Sequence, residues 1–340
     1  MQCFYIFTNS PGEVFAWVKP LVERLNAEFP NALIQIFLTP CQYSTGNEVP
    51  VCQAFDGVDM VFSPVKTLNN LINISAPKGV VFFMGGDPLY AKRFAKKTGS
   101  TIIAYSEHDW PSTDFDLLIN KSDTCDLMCA GLNLVSINER SGIVLLPGSR
   151  PEHLQVALPI MLKMVGEISD FDVMLSPFVD SKTLKRLTKQ YPTVSFRILS
   201  SVNDLSQYKY ALTIPGTNTM QLAYLKIPFM MIFPTHDARI LRLNGLAGLL
   251  LLIPIIGSIL KRIILSLAIR KKRLYSLPNI FFKKQVFPEL VGPFKIDEAH
   301  LSWANFITDR ECYVESLNQL RVFESIQNPL DQIVDFINKN

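Results

Sequence analysis

The 340-residue sequence is sparing with the residues that build metal centres and disulfide frameworks, holding 6 cysteines and 4 histidines. Only Cys125 and Cys129 lie close together, and no second pair stands at zinc spacing. That argues against a zinc framework and for a reduced, cytoplasmic protein. A dominant charge sign is missing as well. Lys and Arg number 33 against 30 Asp and Glu, a formal net charge of +3, so no chain-wide basic field points to nucleic acid as a partner. The N-terminus "MQCFYIFTNSPGE" has neither a basic leader nor a small-residue cleavage site, so no secretory signal is expected and residue 1 should already belong to the fold.

What is present is a large apolar fraction, 48% hydrophobic against 19% charged residues, enough to bury two cores rather than one. Short runs rich in Ile, Val and Phe alternate with longer amphipathic stretches, the pattern of an α/β chain whose parallel sheets are covered on both faces. The first half offers strands at "CFYIFT", "LIQIFL", "MVFS", "VVFFM", "TIIAY" and "FDLLI". A second set follows at "GIVLLP", "FDVMLS", "VSFRIL", "YALTI" and "FMMIF", with helices near 151 to 168, 181 to 190 and 217 to 225. The polar segment 133–142 reads as a linker. Two doubly wound halves would face each other across a cleft, with ligands at the carboxyl ends of the strands.

Two strand-to-helix turns in the second half suit an anion. In "PGSRPEH", Ser149 and Glu152 have the S-x-x-E spacing of a capping box, and Pro151 suits a first helical turn. Arg150 then opposes the positive end of the helix dipole, which makes sense beside a bound anion or, equally, with the side chain turned to solvent. In "IPGTNTMQL", Gly216, Thr217, Asn218 and Thr219 are small or hydroxylated and would let phosphate oxygens approach the backbone amides, although such turns more often just cap helices. Neither turn matches the P-loop or the dinucleotide glycine pattern.

The first half offers candidates for proton transfer. Gly12 and Glu13 follow the first strand, where the acid either complements a helix dipole or works as a base. Asp87 follows Gly85 and Gly86 at another strand end and is a candidate base or an N-cap for the helix opened by Pro88. His108, in "YSEHDW", has the right intrinsic pKa. Residues 243–260 carry no charge, and Lys261, Arg262, Arg270, Lys271, Lys272 and Arg273 follow. Pro254 and Gly257 interrupt the run, so an interfacial element is expected at 243–273, its apolar side chains in a bilayer and its basic ones at the head groups. A buried helix with a solvated basic tail is the bland alternative.

Taken together, "LLPGSRPEH", "IPGTNTMQLAYLKIPFMMIF" and "YSLPNIFFKKQVFPELVG" resemble the lipid-A-disaccharide synthases, in the same order and at similar spacing. The resemblance implies a GT-B fold of two Rossmann-like domains and an inverting transfer from a UDP-acylglucosamine donor to a lipid-linked acceptor. No metal or other cofactor is implied. The enzyme would be peripheral, at the cytoplasmic face of the inner membrane. On this pattern residues 1–139 form the acceptor-side domain and 140–315 the nucleotide-sugar domain, while helices at 316–340 could pack across both. Arg150 corresponds to the family's donor-site arginine, with Gly148 and Ser149 completing its turn. Gly216, Thr217 and Thr219 would cradle the diphosphate, with Asn279 and Glu289 near the nucleotide.

Departures cluster in the acceptor half. Where the family has G-E-A-S-G-D this chain has "GEVFAW", its D-x-P-D-F becomes "GDPLY", and its W-A-W is absent. Gln221 replaces a usual glutamate, and Gly292 a glutamine. The expected activity is therefore a glycosyltransfer with an altered acceptor, Asp87 being the favoured base and His108 and Glu13 its rivals. A degenerate sugar- or lipid-binding protein and a UDP-sugar epimerase are the alternatives.

Overall fold

The computed structural model describes residues 2–122, 124–132, 136, 139–166, 170–234 and 273–340. The apolar segment 243–273, except Arg273, and much of the linker at 133–142 lie outside them. The chain divides into two compact units, Met1–Gly131 with Ser325–Asn340, and Leu132–Glu324.

The first unit holds β1 (Cys3–Thr8), β2 (Leu33–Leu38), β3 (Val58–Phe62), β4 (Val80–Phe83), β5 (Thr101–Ser106) and β6 (Leu117–Asn120). They form one parallel sheet in the order β3-β2-β1-β4-β5-β6. Every residue of β1 is buried, as a central strand covered on both faces requires. Alternate side chains therefore feed two cores. Tyr5 and Phe7 pack with Phe37, Phe83 and Phe94 on one side, and Phe4 meets Phe29 and Phe82 edge-on on the other. The helices are α1 (Pro11–Glu13), α2 (Lys19–Glu28), α3 (Glu48–Gln53), α4 (Pro64–Ile72) and α5 (Pro88–Thr98). Between α1 and α2 the chain widens into a π-helical turn, Val14–Val18, all of it buried.

The second unit repeats the plan with β7 (Ser141–Leu146), β8 (Phe171–Leu175), β9 (Phe196–Ile198), β10 (Tyr208–Thr213), β11 (Phe229–Pro234) and β12 (Glu289–Gly292). Its parallel order is β12-β11-β10-β7-β8-β9. The helices here are α6 (Pro151–Val165), α7 (Ser181–Gln190), α8 (Thr217–Tyr224), α9 (Leu277–Phe282), α10 (Ile296–Thr308) and α11 (Arg310–Leu320). Trp303 of α10 is fully buried in the core that α6 and the sheet share. The last helix, α12 (Leu330–Lys339), belongs to the first unit. It buries Leu330, Ile333, Val334 and Ile337, packs on α2, and places Asp331 2.9 Å from Arg24.

The helix starts near 151, 181 and 217 stand as expected. The capping box at Ser149 and Glu152 does not form: Arg150 occupies the N-cap in an extended conformation, and no side chain caps α6. Pro151 fixes the first helical position, which leaves Ser149 one residue too early to serve. Among the described residues no helix is long and apolar enough to cross a membrane.

Candidate functional site

In each sheet the first strand sits beside the fourth, so the chain leaves their carboxyl ends toward opposite faces and opens a crevice there. In the first unit that place holds a cavity of about 330 Å³. Its walls carry two carboxylates, Glu13 and Glu107, with His108 beside them, and the rings of Trp17, Tyr43 and Tyr105. Asn9, Ser10 and Ser106 add polar edges, and among the described residues no lysine or arginine lines it.

Glu13 is held by the capping box that Ser10 actually forms. The Glu13 amide donates to Ser10 Oγ at 3.3 Å, and the Ser10 amide donates to Glu13 Oε2 at 3.1 Å. Burial lifts its carboxyl from the ordinary glutamate value of 4.5 to about 7, with a smaller push from Glu107 and an opposing pull from the hydrogen bonds of Ser10 and Asn9. Two glycines make room. Gly85 has φ +116°, and a Cβ there would lie 2.3 Å from Glu13 Cδ. Gly86, at φ +85°, would meet Asn9 Nδ2 at 2.8 Å. Glycine is needed at both positions for backbone and space together.

Trp17 comes from the π-helical turn, a distortion that recurs at functional sites. Its ring meets Tyr105 edge-on at 5.1 Å, it is only 6% exposed, and its indole Nε1 has no hydrogen-bond partner among the described residues. Asn9 Oδ1 is buried in the same condition. One donor and one acceptor on the cavity wall are thus available to a polar ligand. Tyr105, by contrast, is fully engaged: its hydroxyl donates to Asp126 Oδ1 at 3.0 Å and accepts from the Leu127 amide at 3.0 Å. Burial and Asp126 drive its pKa upward, so it stays protonated. Lys121 Nζ donates to Glu107 Oε1 at 2.6 Å and lies 3.5 Å from Asp126 Oδ2, fixing the far rim.

Asp87 stands elsewhere. It is exposed, absent from the cavity wall, and its Oδ1 accepts from the Leu89 amide at 2.9 Å as the N-cap of α5. Gly12 lies within α1, one residue before Glu13.

In the second unit, β7 and β10 run side by side with Leu146 opposite Thr213. The turns that follow them are therefore neighbours. Gly148, at φ +96°, shows how close: a Cβ there would lie 2.5 Å from Ile214 Cδ1. Ser149 and Arg150 are half-buried beyond it, and Gly216, at φ +152°, is the N-cap of α8. Thr217 and Asn218 open that helix, half-buried, with its first N–H groups unpaired within the helix and suited to an anion.

The remaining predicted residues lie deeper. Thr219 is fully buried, its hydroxyl donating to the Gly216 carbonyl at 2.8 Å and accepting from the Leu277 amide at 3.1 Å, so it ties α8 to α9. Gln221 is 2% exposed. Asn279 is fully buried. Its Nδ2 donates to the Phe287 carbonyl and to Glu289 Oε1, while its Oδ1 accepts from the amides of Val286 and Phe287. Glu289 in turn accepts from the amides of Tyr275 and Ser276 and from Ser276 Oγ. These two motif residues shape the 275–289 segment from inside. Among the described residues no three His, Cys, Asp or Glu side chains gather as a metal site.

No family model matches the chain, and no curated protein is similar to it in sequence. Similar solved structures exist. MurG from Acinetobacter baumannii is 10% identical over the whole of both chains, with a TM-score of 0.51. The S. aureus MnaA–UDP co-structure is 12% identical, covers 99% of this chain and 96% of that one, and has a TM-score of 0.51. A putative UDP-N-acetylglucosamine 2-epimerase from Listeria monocytogenes is 10% identical over 93% of this chain and 90% of its own, with a TM-score of 0.50. At such identities the likeness shows the fold alone. It is the expected GT-B fold, two α/β units each built on a six-stranded parallel sheet.

Proposed function

We propose that the chain is a nucleotide-sugar-dependent glycosyltransferase in which Glu13 is the general base and Arg150 with the α8 N-terminus receives the donor's diphosphate. The observation that carries this reading is the Glu13 carboxyl, lodged on a cavity wall at a switch point with its pKa lifted to about 7. A base poised there takes a proton from a hydroxyl at neutral pH, which a pure binding protein has no use for. Glu13 is preferred to Asp87 because the latter is occupied in capping α5. The acceptor oxygen bonds to the anomeric carbon as the carbon–oxygen bond to the diphosphate breaks, and the hydroxyl proton passes to Glu13. The departing diphosphate gains negative charge, which a guanidinium and helix N–H groups stabilise more in the transition state than in the ground state.

Two observations support a uridine nucleotide as donor: the motif resemblance to lipid-A-disaccharide synthases, and a fold shared with a structure solved with UDP. A lipid-linked acceptor at the cytoplasmic face of the inner membrane, contacted through residues 243–273, completes the proposal. The cavity's acidic, aromatic wall suits the neutral, hydroxyl-bearing part of that acceptor rather than a phosphate.

The test is transfer from UDP-sugars to membrane lipid extracts. Glu13→Gln should lower kcat/KM by about 10²- to 10⁴-fold while UDP still binds, and near-wild-type transfer by that variant would overturn the assignment. The same assay run without lipid separates an epimerase, which converts the UDP-sugar with no acceptor present.

A further inference from the structure

We propose that Tyr43 is the platform on which the acceptor's sugar ring lies, and that Glu48, buried and absent from the cavity wall, is the residue that positions it. The inference rests on the reading of the first unit's cavity as the acceptor's place and adds what recognises the sugar there. The rings of Trp17, Tyr43, Phe83 and Tyr105 line that cavity. Trp17, Phe83 and Tyr105 are 6%, 2% and 0% exposed, whereas Tyr43 is half-buried. The first three are thus sealed into the core, and Tyr43 is the one among them with area left for a ligand to cover. A tyrosine ring offers a flat apolar face to the C–H side of a pyranose, and with two side-chain torsions to fix it loses little entropy in doing so.

Tyr43 belongs to the loop between β2 and α3, and a loop holds a side chain in place only where something ties it down. The root is tied to β1, since the Thr39 amide donates to the Thr8 carbonyl at 2.8 Å. The Tyr43 amide donates to Cys41 Sγ at 3.3 Å, and the Ser44 amide to the Cys41 carbonyl at 3.3 Å. Just after Tyr43 the chain wraps a carboxylate. Glu48, the first residue of α3, is 4% exposed. Its Oε2 accepts from Ser44 Oγ at 2.7 Å and the Gly46 amide at 3.0 Å, and its Oε1 from the Thr45 amide at 2.6 Å and Thr45 Oγ1 at 2.9 Å. Among the described residues no Lys or Arg pairs with it. A carboxylate that served α3 would bond to that helix's own amides; all of these donors lie in the loop before it. Burying the charge is costly unless such donors fill its lone pairs, so residues 44–46 can leave Glu48 only by stranding it. The clamp begins one residue after Tyr43 and fixes where its ring stands.

The test is calorimetric binding of octyl β-glucoside and octyl N-acetyl-β-glucosaminide, below their micelle concentrations, to the full chain at neutral pH. The wild type should bind at least one of them. Tyr43→Ala should weaken that binding by about tenfold, and Tyr43→Phe should stay within about twofold. Glu48→Gln, whose amide nitrogen cannot accept, should weaken it by about threefold or more. UDP binding should stay at the wild-type value in all three. Adding Glu48→Gln to Tyr43→Ala should cost no further affinity, because a positioning residue then has nothing left to position. A further loss equal to that of Glu48→Gln alone would overturn the role given to Glu48. Wild-type affinity in Tyr43→Ala, or a wild type that binds neither glycoside, would overturn the proposal. Transfer does not enter this readout, so a chain that binds through Tyr43 and transfers nothing contradicts the proposed activity and leaves this inference standing.

Discussion

At the carboxyl end of β1, burial holds Glu13 near pH 7 while its bonds with Ser10 pull the other way, and both activity and stability should report it. In the proposed role of base Glu13 works deprotonated, so kcat/KM should rise with pH through about 7 and level off above. Stability should run in the opposite sense. The folded chain binds this proton more tightly than the unfolded one, so the contribution is full below about 4.5 and is lost as pH climbs through about 7. Glu13→Gln, which cannot ionise, should therefore gain on the wild type over that window in urea titrations at stepped pH. Arg150→Ala should weaken UDP binding and turnover by about tenfold or more, read by calorimetry and by transfer rate. The sequence offered Asp87 as the favoured base with His108 and Glu13 as rivals; in the structure Asp87 caps α5, and the other two line the cavity. A strand end, a glycine pair and an acid look alike for a cap and a base in one dimension. What differs is the surroundings: Asp87 is exposed, whereas Glu13 is half-buried among residues far off in the chain, Gly85 and Tyr105 among them.

Gly85 acts at the scale of the element, as the bend between β4 and α5 that leaves a place for a carboxyl. Gly85→Ala meets both a positive φ and the Glu13 side chain, so it should destabilise the chain by about 1–3 kcal/mol and return Glu13 toward its ordinary pKa, seen as a leftward shift of the pH–rate profile. Asn279→Ala strips partners from the Val286 and Phe287 amides and should cost about 2 kcal/mol or more in denaturant unfolding. Strands were the most legible elements, since runs such as "CFYIFT" are buried on both faces and too short for helices. The strand β12 escaped notice because "ELVG" is four residues long, follows Pro288 and owes its pairing to β11. The π-helical turn at Val14–Val18 also has no local signature, as its apolar residues read as ordinary helix. The capping box was legible as a spacing and misplaced as a structure, because S-x-x-E occurs at Ser10 as well as at Ser149 and only the first begins its helix at the right residue.

Two units with separate cores are expected to melt separately at the scale of the molecule. UDP should then raise only the transition that belongs to the second unit, by an amount that grows with the logarithm of its concentration; calorimetry at several UDP concentrations reads this directly, and a shift confined to the other transition would misplace the nucleotide. The two sheet orders are alike, and that repetition was visible in the sequence as two sets of apolar runs. The return of Ser325–Asn340 to the first unit was not, since helical periodicity in α12 says nothing of which core it covers. That return sets an order of events at the ribosome. The second unit is one continuous stretch and finishes as it emerges from the exit tunnel, whereas the first, although translated earlier, waits with its α2 face uncovered until Ser325–Asn340 has followed. A nascent chain thus carries an uncovered patch long after the residues around it are made, and a variant lacking α12 would leave Arg24 and the α2 face bare.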